Sequence, residues 1–162
     1  MTSKFKILYH RFLAGGLEDH TDHAAVKHVI ALADLDNEWG LHELGYRYDI
    51  GKSVDRNYEK ALFFYKRAFE KKGDVAQYAA ANIGSLYLNG NGVPKSEAKA
   101  AKWFKKAAEL GHPESQYNYG LSLIDGWDSK YNKEEGVFWL KKSADSGVSQ
   151  AKEVLKKVGE QI

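Results

Sequence analysis

The sequence predicts an all-α fold, a right-handed α/α superhelix (solenoid) of about four helix-pair repeats plus a C-terminal capping helix. Three observations carry this. A glycine recurs at Gly15, Gly51, Gly90 and Gly126, at separations of 36, 39 and 36 residues. An apolar stripe at helical spacing runs into each of these glycines, and a residue suited to capping a new helix follows each by six positions. Only two prolines occur in the 162 residues, so little interrupts the helices.

The stripe defines the first helix of each pair, helix A. Phe12, Tyr48, Tyr87 and Leu123 stand three residues before the four glycines, and Leu8, Leu44, Ile83 and Tyr119 stand seven before them. Glycine adopts the left-handed conformation that ends a helix at the least steric cost, so helix A stops there. Thr21, Asn57, Ser96 and Asn132 then offer side-chain oxygens to the free amides of helix B. Glu135, three residues after Asn132, completes the pattern of a capping box.

Helix B repeats four registers: Ala25, Ala61, Ala100, Gly136; His28, Phe64, Trp103, Trp139; Val29, Tyr65, Phe104, Leu140; and Leu32, Ala68, Ala107, Ser143. Their spacing of i, i+3, i+4 and i+7 makes one buried face, with His28 a core histidine. Lys66, Arg67, Lys105, Lys106, Lys141 and Lys142 fall on the opposite face as solvated cations near helix C-termini.

Helix B is expected to end near Gly73, Gly111 and Gly147, and each following helix A brings a small residue, Gly40, Ala79, Ser115 or Ala151, that permits close approach. A single amphipathic pair cannot hide its apolar face, so the pairs must stack. The frame divides one solenoid domain, residues 1–162, into a degenerate first repeat at 1–36, repeats at 37–75, 76–111 and 112–147, and a polar capping helix at 148–162. The three extra residues between Gly51 and Gly90 lengthen either the third helix A or the junction before it.

The segment AANIGSLYLNGNGVPKSEAKAAKWFKKAAELGHPESQYNYG resembles the Sel1-like repeat, a relative of the tetratricopeptide repeat, through Ile83-Gly84, Tyr87, Gly90, Gly92-Val93, Lys99-Ala100, Trp103, Lys106-Ala107-Ala108 and Gly111. The resemblance covers residues 37–151; in the first unit Tyr9 replaces the glycine present elsewhere as Gly45, Gly84 and Gly120. It implies an adaptor or scaffold that assembles complexes, and in bacteria extends to signalling, host interaction and immunity proteins paired with secreted toxins. A cysteine-rich branch of the family is associated with β-lactam binding, and that activity is not carried over to a chain with no cysteine.

Composition narrows the function. The absence of cysteine excludes thiolate metal sites, disulfides and a thiol nucleophile. Twenty-four basic against 22 acidic residues give a net charge of +2, too little for binding driven by phosphate neutralisation, so no nucleic acid is expected. The start, MTSKFKILYHRF, does not read as a secretory signal, and no apolar run approaches the ~18 residues of a membrane span. A cytoplasmic location and no membrane partner are therefore expected. No GxSxG, HExxH or phosphate-loop pattern is present, and no catalytic residues, metal ligands or cofactors are assigned. Asp19, His20, Asp22 and His23 form the one group with a ligand look, and Thr21 as N-cap explains its acids by the helix dipole.

In right-handed superhelices the A helices line the inner surface, so their positions outside the apolar registers are the candidate partner-binding groove. These are Trp39, His42, Glu43, Tyr46 and Arg47, then Tyr78, Asn82 and Ser85, then Tyr117, Asn118 and Leu121. His42 is expected to be wet. Trp127, in the departing turn GWDSKYN where Ser129 takes the place of Val93, either fills the pocket of Val93 or is an exposed anchor. The expected function is a non-catalytic protein–protein interaction module binding a protein or peptide in the concave groove. One alternative is an immunity protein neutralising a cognate toxin, and another, of a different class, is a metal-binding or enzymatic protein using His20 and His23.

Overall fold

A computed structural model describes residues 22–127 and 131–159, and the side chains from residue 25 onward. Thr21, His20 and the first glycine frame at Gly15 lie outside the described residues, as does Ser129. Among the described residues there are helices and no strand: α1 (Asp22–Asp34), α2 (Glu38–Ile50), α3 (Tyr58–Glu70), α4 (Ala76–Asn89), α5 (Glu97–Glu109), α6 (Pro113–Ile124), α7 (Lys133–Asp145) and α8 (Ser149–Lys157). They form an all-α repeat fold in which A helices α2, α4 and α6 alternate with B helices α3, α5 and α7. The chain gathers into two compact units, Met1–Ala79 and Ala80–Ile162.

Helix ends follow the glycine frame. Gly51, Gly90 and Gly126 take φ of 75°, 74° and 69°, the left-handed conformation that releases the chain from helix A. A second bond then captures a carbonyl of the last turn, as Lys52 N–H does to Arg47 C=O and Asn91 N–H to Leu86 C=O, both at 3.0 Å. Asn57, Ser96 and Asn132 each accept the backbone N–H three residues on, from Lys60, Lys99 and Glu135. Each of these cap residues also donates its own backbone N–H to a stripe residue of the preceding helix: Asn57 to Tyr48 and Ser96 to Tyr87 at 2.8 Å, Asn132 to Leu123 at 2.9 Å. One residue thus starts helix B and ties it back to helix A.

That tie alters the capping box. Since Leu123 has already taken the Asn132 backbone N–H, the Glu135 carboxylate accepts instead from the Asn132 side-chain amide, at 3.4 Å. The end of α3 also differs from expectation. Lys72, with φ 56°, is the left-handed residue, one place before Gly73. A side chain at Gly73 would meet only the Glu38 carboxylate, the far end of a flexible side chain that can swing aside. Of the three extra residues, two lengthen the junction, residues 71–75 against 110–112, and one lengthens α4 before its glycine.

The first unit has its core in Val29, Ala33, Leu41, Leu44, Ala68 and Ala79, with Trp39, Tyr48, Phe64, Phe69 and Val75 packed against it. The second unit has two clusters, one around Phe104, Tyr119, Leu123 and Trp139, the other around Leu140, Ala144, Ala151 and Leu155. Within each pair the helices touch at a glycine. A methyl group on Gly45 would lie 2.8 Å from the Tyr65 ring, one on Gly84 2.7 Å from the Phe104 ring, and one on Gly120 2.9 Å from Leu140. The small positions Gly40, Ala79, Ser115 and Ala151 are all buried, and Ser143 satisfies its hydroxyl on the Pro113 carbonyl at 2.8 Å.

Candidate protein-binding face

The candidate residues divide between the two units. Trp39, His42, Glu43, Tyr46, Arg47 and Tyr78 belong to the first, Asn82, Ser85, Tyr117, Asn118, Leu121 and Trp127 to the second.

In the first unit α2 sends Leu41, Leu44 and Gly45 into the core, packs Trp39 against it and sets His42 beside the buried Tyr65, which leaves Tyr46 and Ile50 exposed one turn apart. Tyr46 is 41 % exposed and Ile50 40 %, and Tyr78, at the start of α4, is 48 % exposed. Ile50 was missed in the sequence because it immediately precedes the terminating glycine; its i+4 relation to Tyr46 was the available signal. Trp39 is half-buried and packs partly on the core.

His42 is not wet as expected. Its ring lies half-buried with centroids 5.6 Å from Tyr65 and 6.2 Å from Tyr78. Burial pushes its pKa down to about 4, so the imidazole is neutral at pH 7. Arg47 is only 4 % exposed and donates from Nε to Glu43 at 2.9 Å, one helical turn away. Its charge is therefore held inside the helix surface. Burial raises the pKa of Asp49, which accepts the Tyr65 hydroxyl at 3.1 Å, and burial likewise holds Tyr65 in its phenol form.

In the second unit Ser85 is exposed and turns its hydroxyl to the Ala81 carbonyl at 3.2 Å. Asn82, Asn118 and Leu121 are half-buried. Tyr117 packs against the Leu140 and Leu155 cluster, and Trp127 packs half-buried against the Phe104 and Trp139 cluster, a filling position. His112, which sequence reasoning passed over, caps α6 by accepting the Ser115 N–H on Nδ1 at 3.2 Å.

The B helices carry their cations outward as expected. Lys106 sits 3.9 Å from the Trp103 ring centroid, and Arg67 and Lys142 lie over the exposed Phe63 and Phe138. Asp36 pairs with Arg67 at 2.7 Å and with Lys71, pinning the loop after α1 to α3. Among the described residues no group of three or more His, Asp or Glu is placed to hold a metal ion. The proposed pair His20 and His23 falls outside the described side chains. What the A-helix faces offer is aromatic surface edged with N–H and O–H donors.

The family model of the Sel1 repeat matches residues 40–72, 76–112 and 113–148, more than half of the chain. The chain belongs to the Sel1 repeat family. A crystal structure of a Sel1 repeat protein from Oxalobacter formigenes superposes with a TM-score of 0.83 at 23 % identity, over 96 % of this chain and 46 % of that one. That likeness shows the fold. The chain is also similar to an ERAD-associated E3 ubiquitin-protein ligase component, HRD3B, of Arabidopsis thaliana, at 32 % identity over 58 % of this chain and 14 % of the relative. Chitin synthase regulatory factor 4 of Schizosaccharomyces pombe is 27 % identical over 85 % of this chain and 21 % of its own length. This Sel1 repeat chain therefore spans 14 % and 21 % of the length of these two relatives.

Proposed function

We propose that this Sel1 repeat chain is a non-catalytic protein-interaction module, an adaptor or scaffold that grips a protein or peptide through the exposed faces of its A helices. The observation that carries the reading is the exposure of Tyr46 and Tyr78, aromatic side chains of the kind that dominate binding hot spots, on A helices of the repeat fold. The relatives support it: one is named as a component of a ligase assembly and another as a regulatory factor of a synthase. Among the described residues no helix is long and apolar enough to cross a membrane, and the expected place of action is the cytoplasm.

The test is affinity capture with the full chain, its partner identified by mass spectrometry and its affinity then measured with purified components. Combined Tyr46→Ala and Tyr78→Ala should abolish capture while circular dichroism at the assay temperature still shows a folded chain. Capture that survives this change but is lost with Phe63→Ala and Phe138→Ala would move the binding surface to the B helices. Neutralisation of a cognate toxin is the tight-binding limit of the same reading, marked by nanomolar rather than micromolar affinity.

A further inference from the structure

The end of α4 and the turn that leads to α5 bring two Asn-Gly pairs together, Asn89-Gly90 and Asn91-Gly92. Asparagine followed by glycine can modify itself, because the glycine nitrogen can reach the side-chain Cγ and no Cβ on the glycine obstructs the approach. Glycine follows none of the other asparagines in the chain.

The fold separates the two pairs. Asn89 is the last residue of α4, and the Gly90 N–H donates to the Leu86 carbonyl at 3.0 Å, which holds that nitrogen in the helical ladder and away from the Asn89 side chain. Asn91 lies past the helix. Its own N–H donates to the same carbonyl at 3.0 Å, whereas among the described residues the Gly92 N–H and the Asn91 carboxamide make no hydrogen bond. Gly92 is exposed, with φ 66°. We propose that Asn91 is a self-modification site: in the folded chain Asn91-Gly92 converts without an enzyme to aspartyl and isoaspartyl linkages, while Asn89-Gly90 stays intact.

In the first step the Gly92 nitrogen gives its proton to water and attacks Cγ of Asn91. The new N–Cγ bond closes a succinimide ring, the Cγ–Nδ2 bond breaks, and Nδ2 takes up a proton and leaves as ammonia. Water then opens the ring. Attack at Cγ leaves an ordinary aspartate; attack at the main-chain carbonyl leaves isoaspartate, in which the chain runs on through the side-chain carbons. Water is consumed, ammonia is released, and nothing is oxidised or reduced.

The repeat does not demand this pair. In the preceding unit Lys52 and Ser53 occupy the same positions, Ser53 with φ 61°, close to that of Gly92. Conversion would nevertheless be felt in the turn, because isoaspartate adds a main-chain atom between the tie of Asn91 to Leu86 and the tie of Ser96 to Tyr87. Both products also place a negative charge beyond the C-terminus of α4, the unfavourable end of its dipole.

Incubation of the folded full chain at mildly alkaline pH tests this. Proteolysis and fragmentation of the peptides by mass spectrometry then read conversion at each asparagine, with chromatography resolving the isoaspartyl form. Asn91 should convert at least about tenfold faster than Asn89, because the Gly90 nitrogen is released only by local opening of the helix end. In guanidinium chloride, where the fold is lost, the two should convert within about twofold of each other. Gly92→Ser, which takes the residue of the preceding repeat, should slow Asn91 at least about tenfold by crowding the attacking nitrogen. Asn91→Lys, the other residue of that repeat, should remove the conversion at this position altogether, and circular dichroism verifies that both variants fold. The proposal is overturned if Asn91 stays intact, if Asn89 keeps pace with it in the folded chain, or if Gly92→Ser converts as fast as wild type. A preference that persists unchanged in guanidinium chloride overturns it as well, since the fold would then play no part.

Discussion

Gly84 of α4 lies so close to Phe104 of α5 that a methyl group added to it would stand 2.7 Å from the ring. The same contact recurs between Gly45 and Tyr65, where the ring is fully buried. Gly84→Ala should destabilise the protein by about 1–3 kcal/mol, because overpacking a rigid aromatic contact outweighs the roughly 1 kcal/mol that alanine gains in helix propensity. Urea unfolding checks this, with Ser85→Ala as an exposed control on the same helix. A stabilised Gly84→Ala variant would show that the rings have room to withdraw.

Asn57 both accepts the Lys60 N–H and donates to the Tyr48 carbonyl. Replacing it with alanine removes the side-chain cap and leaves the backbone tie, so the loss should be about 1 kcal/mol and Asn57→Asp should restore most of it. Thermal unfolding followed by circular dichroism reads the difference.

His42 predicts a pH dependence with a definite sign. Its folded pKa, about 4, lies below the ordinary 6.5, so the unfolded chain binds the proton more readily. The stabilisation from keeping the ring neutral is complete above pH 6.5 and is lost as pH falls from there towards about 4. His42→Leu should remove that slope, and the stability difference between wild type and variant should change by about 2 kcal/mol across this window, allowing for partial solvent screening. Chemical denaturation at pH 7.5 and pH 4.5 measures it; a difference independent of pH would show that the ring is hydrated.

Glu43 faces the buried Arg47. Glu43→Gln should cost about 1–3 kcal/mol by leaving a desolvated guanidinium with a weaker partner, and adding Arg47→Met should recover much of the loss. A double-mutant cycle measures the coupling, which additive single effects would reduce to nothing.

Much of the repeat could be read locally. The stripe residues, the N-caps Asn57, Ser96 and Asn132, and three of the four helix B registers from Ala61 to Ser143 stand where periodicity placed them, whereas in the aromatic register only Trp139 is buried and His28, Phe64 and Trp103 are half-buried. The departures are equally instructive. His112 caps α6 although histidine is not a preferred N-cap type, and Lys72 rather than Gly73 turns left-handed in a junction two residues longer than the one after α5. Trp127 stood between filling a pocket and serving as an exposed anchor until its packing neighbours were known.

Spacing alone determined the helix pairs and their glycine ends, since capping, left-handed turns and amphipathic periodicity depend on residues within a few positions of each other. Only tertiary packing decided which polar groups of the A helices remain available. His42 is uncharged because Tyr65 and Tyr78, distant in sequence, enclose it, and Arg47 is withdrawn from solvent while Tyr46 beside it is not. Desolvation is set by neighbours from other helices, and no local pattern in the chain records which of them arrive.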